Sequence, residues 1–203
     1  MQALLRTKFQ LRPPPMNDMY NDLLQIDPKV IITTNYDELI EKNFDHYSGG
    51  ASSHSIRTQI SKSLLSDLRS PVRSIVKLHG CITDIDNIVL DRRSFFKAQA
   101  ENIGFFDIIR SLMSVNTVLF LGYSMSDPDI QLILENTNMS SSSSNPHYAL
   151  VQKFEHPAIK VANSQTYNTL FLEYPTGDHG KFPIALNQLR EQVKQVRLDR
   201  GIP

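Results

Sequence analysis

The sequence has 203 residues, 40% of them hydrophobic, and its 21 basic and 21 acidic side chains give a formal net charge of zero. This length is typical of one domain, with room for a smaller lobe, and the composition is sufficient for a core. The balanced charge gives no electrostatic footprint for nucleic acid. The sequence contains no run of about 18 apolar residues, so no transmembrane helix is predicted.

The number and spacing of the cysteines and histidines limit which disulfides and metal sites are possible. Cys81 is the only cysteine, which excludes an internal disulfide and a cysteine-based zinc site. The beginning of the chain, Met1 to Arg6, has no apolar core adequate for a signal peptide, so we expect a soluble, cytoplasmic protein. Five of the six histidines lack the spacing of metal ligands, and no metal is expected. They are His46, His54, His147, His156 and His179.

The first half of the chain is predicted to alternate between helices and strands. A short helix is expected at 16–26 and a buried strand at 30–34, where an apolar, β-branched run leaves no room for a helix. Asp37 is placed to cap the next helix. Residues 48–53 are interpreted as a flexible loop, and 56–68 as helical or irregular.

The second confident strand covers 73–78 and ends at His79, where Gly80 permits a sharp turn. The elements predicted after it are a small strand at 88–90, helices at 95–100 and 105–113, strands at 117–121, 147–152 and 169–174, and a closing helix at 182–196. Asp127 is expected to cap the helix after the third confident strand, with Pro128 in its first position. This alternation predicts an α/β fold with a parallel sheet covered on both faces.

Three of the predicted strands end in polar, turn-prone sequence, at 33–37, 77–80 and 122–127. In open α/β sheets, ligands bind beyond the carboxyl ends of the strands. If the strands are parallel, the three tips meet along one edge. They would then bring together the amide of Asn35, the imidazole of His79 and several carboxylates.

Each of these side chains also has a purely structural interpretation. Asp37 and Asp127 are both placed to cap helices. Asn35 tolerates a left-handed turn, and the residues after the third strand are ordinary in a turn from strand to helix. His79 could be a satisfied histidine at the end of a strand. The sequence alone leaves both interpretations open.

Three segments, in this order, resemble the motifs of the sirtuin-like family: TTNYD at 33–37, KLHG at 77–80 and LGYSMSDPD at 121–129. They are similar in particular to the bacterial branch of anti-phage defence NAD hydrolases that lacks the zinc ribbon. Tyr174 and the residues that follow it, up to a terminal helix, resemble that branch too. The likeness covers roughly residues 28 to 195.

The resemblance implies a Rossmann-like parallel sheet flanked by helices, with a small helical lobe inserted between strands. We expect one domain over 1–203 and place the lobe within 45–115. The resemblance also implies that Asn35 contacts the nicotinamide ribose and helps to position a water, that Asp37 lies near the nicotinamide end, and that His79 is the general base. The residues implied to bind the cofactor are Thr34, Tyr36, Gly122, Tyr123, Ser124 and Asp127.

The function implied by the resemblance is hydrolysis of NAD⁺ between nicotinamide and ribose, with NAD as the substrate and no metal. Such cleavage builds positive charge on the sugar, which a carboxylate or amide oxygen stabilises, and a histidine can accept a proton near neutral pH. The branch is typically oligomeric and gated by a partner. We therefore expect a homo-oligomer, or a complex with another defence protein such as an ATPase, without a membrane and without direct nucleic-acid binding.

The beginning of the sequence departs from the family. Sirtuin-like domains start with a strand and a glycine-rich turn that holds the pyrophosphate, yet no glycine precedes Gly49 here. A truncated product, a unit supplied by another chain and a degenerate relative are three open explanations. An inactive module that binds NAD or a nucleotide, as a regulatory or scaffold subunit, is the alternative function. A protein deacylase is disfavoured because no zinc ribbon builds the second lobe.

Overall fold

The computed structural model describes residues 16–51, 53–123, 127–140 and 145–202. The chain divides into two compact units. The first contains the residues up to Phe106 and those from Leu186 onward, and the second contains Asp107–Ala185. Each unit has a three-stranded parallel sheet accompanied by helices, so the predicted α/β class with helix-flanked parallel strands is confirmed.

The elements follow one another in the order that an α/β fold requires. Up to the end of the first sheet they are α1 (Asp18–Ile26), β1 (Val30–Thr33), α2 (Leu39–Tyr47), β2 (His54–Thr58), α3 (Leu64–Arg69) and β3 (Arg73–Lys77). A 3-10 turn (Ile85–Asn87), α4 (Arg92–Glu101), α5 (Ile103–Val115), β4 (Leu119–Leu121) and α6 (Pro128–Ser140) come next. The last elements are β5 (His147–Gln152), α7 (Pro157–Tyr167), β6 (Thr169–Tyr174) and α8 (Lys181–Arg200).

The first sheet has the order β1–β3–β2, and both pairings are parallel. Lys77, the last residue of β3, is in register with Thr33 of β1 and with Thr58 of β2. The carboxyl ends of all three strands therefore lie at one edge of this sheet. Strand β3 is central, and residues 74–77 are buried.

Strand β2 corrects the interpretation of 56–68 as helical or irregular. It begins at His54, and its single large apolar residue, Ile56, is 38% exposed. As an edge strand it is attached through backbone hydrogen bonds to β3, and it needs no continuous apolar run. Neither hydrophobic periodicity nor an apolar run marks it in the sequence.

The small strand expected at 88–90 is wrong. These residues are not paired in a sheet, and the N–H of Val89 donates to the carbonyl of His79 (2.9 Å). Ile88 and Val89 belong to the loop that follows β3 and are buried, which accounts for their apolar character without a sheet. The helical lobe expected within 45–115 stays a prediction; this segment contains β2 and β3 as well as helices α3, α4 and α5.

The part of helix α8 from Leu186 onward belongs to the first unit. Arg190 Nε lies 3.2 Å from Asp22 Oδ1 on α1, and Asn187 Nδ2 donates to the same carboxylate oxygen (3.2 Å). Arg197 donates to the carbonyl of Ile26 (3.0 Å), at the end of α1. These polar contacts pair the closing helix with the helix that leads into β1. In the described part of the chain, no helix has the length and apolar character needed to cross a bilayer.

The second sheet has the order β4–β5–β6, again with all pairings parallel. Strands β5 and β6 cover the ranges predicted from the sequence. Phe120, Ala149 and Phe171 are in register across the three strands and are buried. They form the apolar row of this sheet's covered face.

His147, the first residue of β5, is a buried histidine that acts as a structural acceptor. It is 4% exposed, and its Nδ1 accepts a hydrogen bond from the N–H of Val118 (3.2 Å). Its ring meets that of Phe120 edge-on, with 6.3 Å between the centroids. Burial lowers the pKa of the imidazole, which favours its neutral form in the folded protein.

This histidine predicts a loss of stability in acid. Because its pKa is lower in the folded protein than in the unfolded chain, the unfolded chain binds more protons as the pH falls below about 6.5. We expect the unfolding temperature to drop between about pH 7.5 and about pH 5.5, and to drop less in His147→Asn, whose amide oxygen can replace Nδ1 as acceptor. Circular dichroism melts at both pH values check this. The same drop in variant and parent would assign the acid sensitivity to other groups.

Candidate functional site

The turn after β1 is held by short-range hydrogen bonds. The N–H of Asn35 donates to Thr33 Oγ1 (3.1 Å), and Asp37 Oδ1 accepts from the N–H of Leu39 (3.1 Å), the first residue of α2. Asp37 thus satisfies an amide of the first helical turn, as the sequence predicts, although Glu38 is the residue next to the helix. The side chain of Asn35 is exposed and Asp37 is half-buried. The amide of Asn35 is therefore accessible at the carboxyl edge of the sheet.

His79 lies just beyond the carboxyl end of β3 and is half-buried. Its ring is 6.4 Å from that of Tyr36 and meets the ring of Phe95 edge-on at 5.9 Å, measured between centroids. Its carbonyl accepts from the N–H of Val89. Aromatic neighbours orient the imidazole, while the following loop holds its main chain.

Tyr36 links the turn after β1 to the loop after β3. Its hydroxyl donates to the carbonyl of Val89 (2.6 Å), and its own carbonyl accepts from the N–H of Ile82 (2.8 Å). Its side chain packs on the buried cluster of Cys81, Ile82 and Ile88. Tyr36 thereby joins the two strand tips, and its contact with a cofactor stays a prediction, as does that of half-buried Thr34.

Gly80 makes the sharp turn after His79 that the sequence predicts. Its φ is +87°, in the left-handed region, and a Cβ added there would lie 2.8 Å from the carbonyl oxygen of Asn87. Both the backbone angle and the close approach of the loop require glycine at this position.

Substitution of this glycine is predicted to be costly. We expect Gly80→Ala to lower the free energy of unfolding by at least about 1–2 kcal/mol, the cost of a left-handed conformation for a residue with a Cβ. Gly104→Ala is the matched control, because a Cβ there meets no atom within 4 Å and Gly104 lies in α5. It should raise stability by up to about 1 kcal/mol. Urea unfolding measures both, and equal effects of the two substitutions would contradict this role of Gly80.

A buried ion pair lies at the ends of the same strands. The side chain of Lys77 is 1% exposed, and its Nζ is 2.9 Å from Oε1 of Glu41, whose side chain is 5% exposed. The same Nζ donates to the carbonyl of Asp37. Sequence reasoning did not single out either residue. Lys77 could have been recognised from the sequence, because it is a lysine at the otherwise apolar end of a predicted central strand. A buried charge at such a position is rarely left unpaired.

Tyr20 on α1 lies near the carboxylates of Asp37 and Glu41. Burial raises the pKa of its hydroxyl, and the negative charges of Asp37 and Glu41 raise it further. The phenol therefore stays protonated at neutral pH. The ammonium of Lys77 is paired with one of these carboxylates, that of Glu41, and binds the main-chain carbonyl of Asp37 rather than its carboxylate.

Gln59 is a second buried polar residue that the sequence did not reveal. It directly follows β2, is 4% exposed, and donates through Nε2 to the carbonyl of Asn87. It therefore attaches the loop after β3 to the third strand tip of this sheet. Its role was missed because the strand before it, β2, was not predicted.

The tip of β4 belongs to the second unit. Gly122 has φ +61° and is exposed, and the hydroxyl of Tyr123 donates to the carbonyl of Asp127 (3.2 Å). Pro128 is the first residue of α6 and Asp127 directly precedes it, as predicted. Ser124 lies outside the described residues. The placement of this tip in one site with Asn35 and His79 stays a prediction.

Together, the tips of β1 and β3 present an exposed amide, a half-buried carboxylate and an imidazole at one sheet edge. The oxygens of Asn35 and Asp37 can stabilise a developing positive charge, and His79 can accept a proton. Among the residues described by the structure, no group of three or more His, Cys, Asp or Glu side chains is arranged to hold a metal ion.

A family model for the SIR2-like domain matches residues 29–173. The NAD(+) hydrolase ThsA of Enterococcus faecium is 31% identical over 124 residues, which are 60% of this chain and 25% of that protein. The NAD(+) hydrolase ThsA of Acinetobacter baumannii (strain 532279) is 26% identical over 155 residues, 76% of this chain and 31% of that protein. Defense-associated sirtuin 2 of Bacillus subtilis is 23% identical over 139 residues, 65% of this chain and 13% of that protein.

The chain spans about a third or less of the length of the curated relatives it matches. The family match itself covers more than half of the chain and runs from the residue before β1 to Glu173, one residue before the end of β6. It therefore includes β1 to β5, all of β6 but its last residue, and the three strand tips. The chain belongs to the SIR2-like family, and its helix-flanked parallel strands are the Rossmann-like fold of that family.

Proposed function

We propose that this chain hydrolyses NAD⁺ at the bond between nicotinamide and ribose, as part of a bacterial anti-phage defence protein. The observation that carries this is the position of Asn35, Asp37 and His79 just beyond the carboxyl ends of two adjacent parallel strands, at the same sheet edge. Membership of the SIR2-like family supports a site at this edge. Relatives named NAD(+) hydrolase and defense-associated sirtuin support the reaction and its setting.

In this reaction, the bond between C1′ of the ribose and the nicotinamide nitrogen breaks, and its electron pair leaves with nicotinamide. Water adds to C1′ and releases one proton, so that the products are nicotinamide, ADP-ribose and H⁺. Positive charge develops on the ribose before water adds. The carboxylate of Asp37 and the amide oxygen of Asn35 are the groups that would stabilise this charge and place the water.

His79 would serve as the general base that takes up a proton near the ribose. The neighbouring rings of Tyr36 and Phe95 would hold its orientation during the reaction. NAD⁺ is the substrate, and the residues proposed to contact it are Thr34, Tyr36, Gly122, Tyr123, Ser124 and Asp127. We also propose that the protein acts in the cytoplasm, as a homo-oligomer or in a complex with another defence protein.

The direct test is to incubate the purified chain with NAD⁺ and to quantify nicotinamide and ADP-ribose by chromatography. We expect both products to appear in equal amounts as NAD⁺ disappears. Calorimetric titration with NAD⁺ is carried out in parallel. Saturable binding without any product would contradict the hydrolase and would favour a regulatory nucleotide-binding module.

A further inference from the structure

We propose that Lys77 is a positioning residue, whose ammonium group holds the turn of residues 35–37 in the place that the reaction at His79 requires. This inference rests on the proposed hydrolysis of NAD⁺ and adds to it a residue that is 1% exposed and would act through the turn rather than on the substrate. The strand register at Lys77, the two partners of its ammonium group and the burial of the ion pair carry it.

The first observation is the register of the strands. Lys77 pairs with Thr33, the last residue of β1, and the N–H of Leu78 donates to the carbonyl of Thr33 (2.9 Å). Beyond this point the two backbones separate, one into the turn and the other toward His79. Lys77 is thus the last residue at which β3 is paired with β1.

The second observation is where the side chain of Lys77 ends. Its Nζ donates to the main-chain carbonyl of Asp37, 40 positions away in the sequence, and lies 2.9 Å from Glu41. The carbonyl belongs to the turn itself, and Glu41 lies in the first half of α2 that follows it. One buried cation therefore connects the strand that leads to His79 with the end of the turn that carries Asn35.

The third observation is that the ion pair of Lys77 and Glu41 is buried. A buried ion pair is a poor means of stabilising a fold, because apolar residues of similar volume often do as well or better. Here, Oε2 of Glu41 has no hydrogen-bond partner among the described residues, so the free energy needed to remove this carboxylate from water is only partly offset. The pair is better explained by what Lys77 holds than by stability, since an apolar side chain cannot bind the carbonyl of Asp37.

Loss of this connection should affect turnover more than binding. A misplacement of about 1 Å in a reacting group can lower a rate by about 10²-fold. The turn carries Asn35 and Asp37, which act on the ribose during bond cleavage in the proposed reaction. We therefore expect a lower kcat with little change in KM when the ammonium is removed.

The experiment compares Lys77→Met/Glu41→Leu with Glu41→Gln. The double variant removes both charges and leaves no uncompensated buried ion, so it is expected to fold; circular dichroism melts verify this. Glu41→Gln keeps Lys77 and its bond to the carbonyl of Asp37. We expect kcat to fall about 10²-fold in the double variant and to stay within a few-fold of the parent in Glu41→Gln. Parent-like kcat in the double variant would overturn the proposal.

Hydrogen exchange provides a readout that does not depend on activity. The N–H of Leu39 donates to Asp37 Oδ1 and that of Ile82 to the carbonyl of Tyr36, so both amides report on the turn. They should exchange faster in the double variant than in Glu41→Gln or the parent. If the parent releases no nicotinamide, the proposed function fails, and the exchange data still decide whether Lys77 holds the turn. Equal exchange in all three proteins would overturn that role.

Discussion

Replacement of His79 by alanine is expected to lower the rate of nicotinamide release by about 10²–10⁴-fold, which is the usual contribution of a general base. The imidazole is the only group in the motif at 77–80 that can accept a proton near neutral pH. Its ring also contacts those of Tyr36 and Phe95, so His79→Gln is made beside the alanine variant to limit loss of packing. Steady-state rates with NAD⁺ measure the effect, and calorimetry shows whether NAD⁺ still binds.

The matched control for this prediction is His156→Ala. His156 is an exposed histidine that precedes α7 and makes no side-chain cap hydrogen bond, so its removal should leave the rate unchanged. Equal losses in both histidine variants would indicate a nonspecific effect. Full activity in both His79 variants would remove His79 from the mechanism.

Asn35→Ala separates catalysis from stability at the neighbouring tip. The side chain of Asn35 is exposed, and only its backbone N–H takes part in the hydrogen bond to Thr33. The free energy of unfolding should therefore change by no more than about 0.5 kcal/mol. Nicotinamide release should nevertheless fall well below that of the parent. A normal rate together with normal stability would favour the alternative interpretation of Asn35 as a turn residue.

The ion pair of Lys77 and Glu41 is expected to give the largest effect on stability. Lys77→Met alone should lower the free energy of unfolding by about 3–5 kcal/mol, because it leaves the carboxylate of Glu41 buried without its cation. This is a large part of the stability of an ordinary domain, about 5–15 kcal/mol. The measurement is urea-induced unfolding followed by circular dichroism at neutral pH.

A double-mutant cycle supplies the control for this second prediction. Glu41→Leu alone should also be destabilising, since the ammonium of Lys77 then retains only the carbonyl of Asp37. The combination Lys77→Met/Glu41→Leu should recover most of the loss, because no charge stays buried. Strict additivity of the two single changes would show that the residues do not interact and would contradict the geometry.

Much of the fold follows from local sequence. Strands β1, β3, β5 and β6 were predicted close to their observed bounds because each is a short run rich in apolar or β-branched residues. Pro128 and Asp127 marked the start of α6 for the same kind of local reason. Strand β2 escaped detection because an edge strand is held by backbone pairing, which leaves no apolar pattern in residues 54–58.

The candidate site also has one part that the sequence predicts and another that only the tertiary structure reveals. The motifs that contain Asn35, Asp37 and His79 are contiguous in sequence, so strand ends, turns and the family resemblance could all be read from neighbouring residues. The tertiary structure alone decided that Lys77 reaches the carbonyl of Asp37 and that Gln59 reaches that of Asn87. Both contacts join residues far apart in the chain, and whether a lysine is buried or exposed depends on what packs over it, which no local pattern specifies.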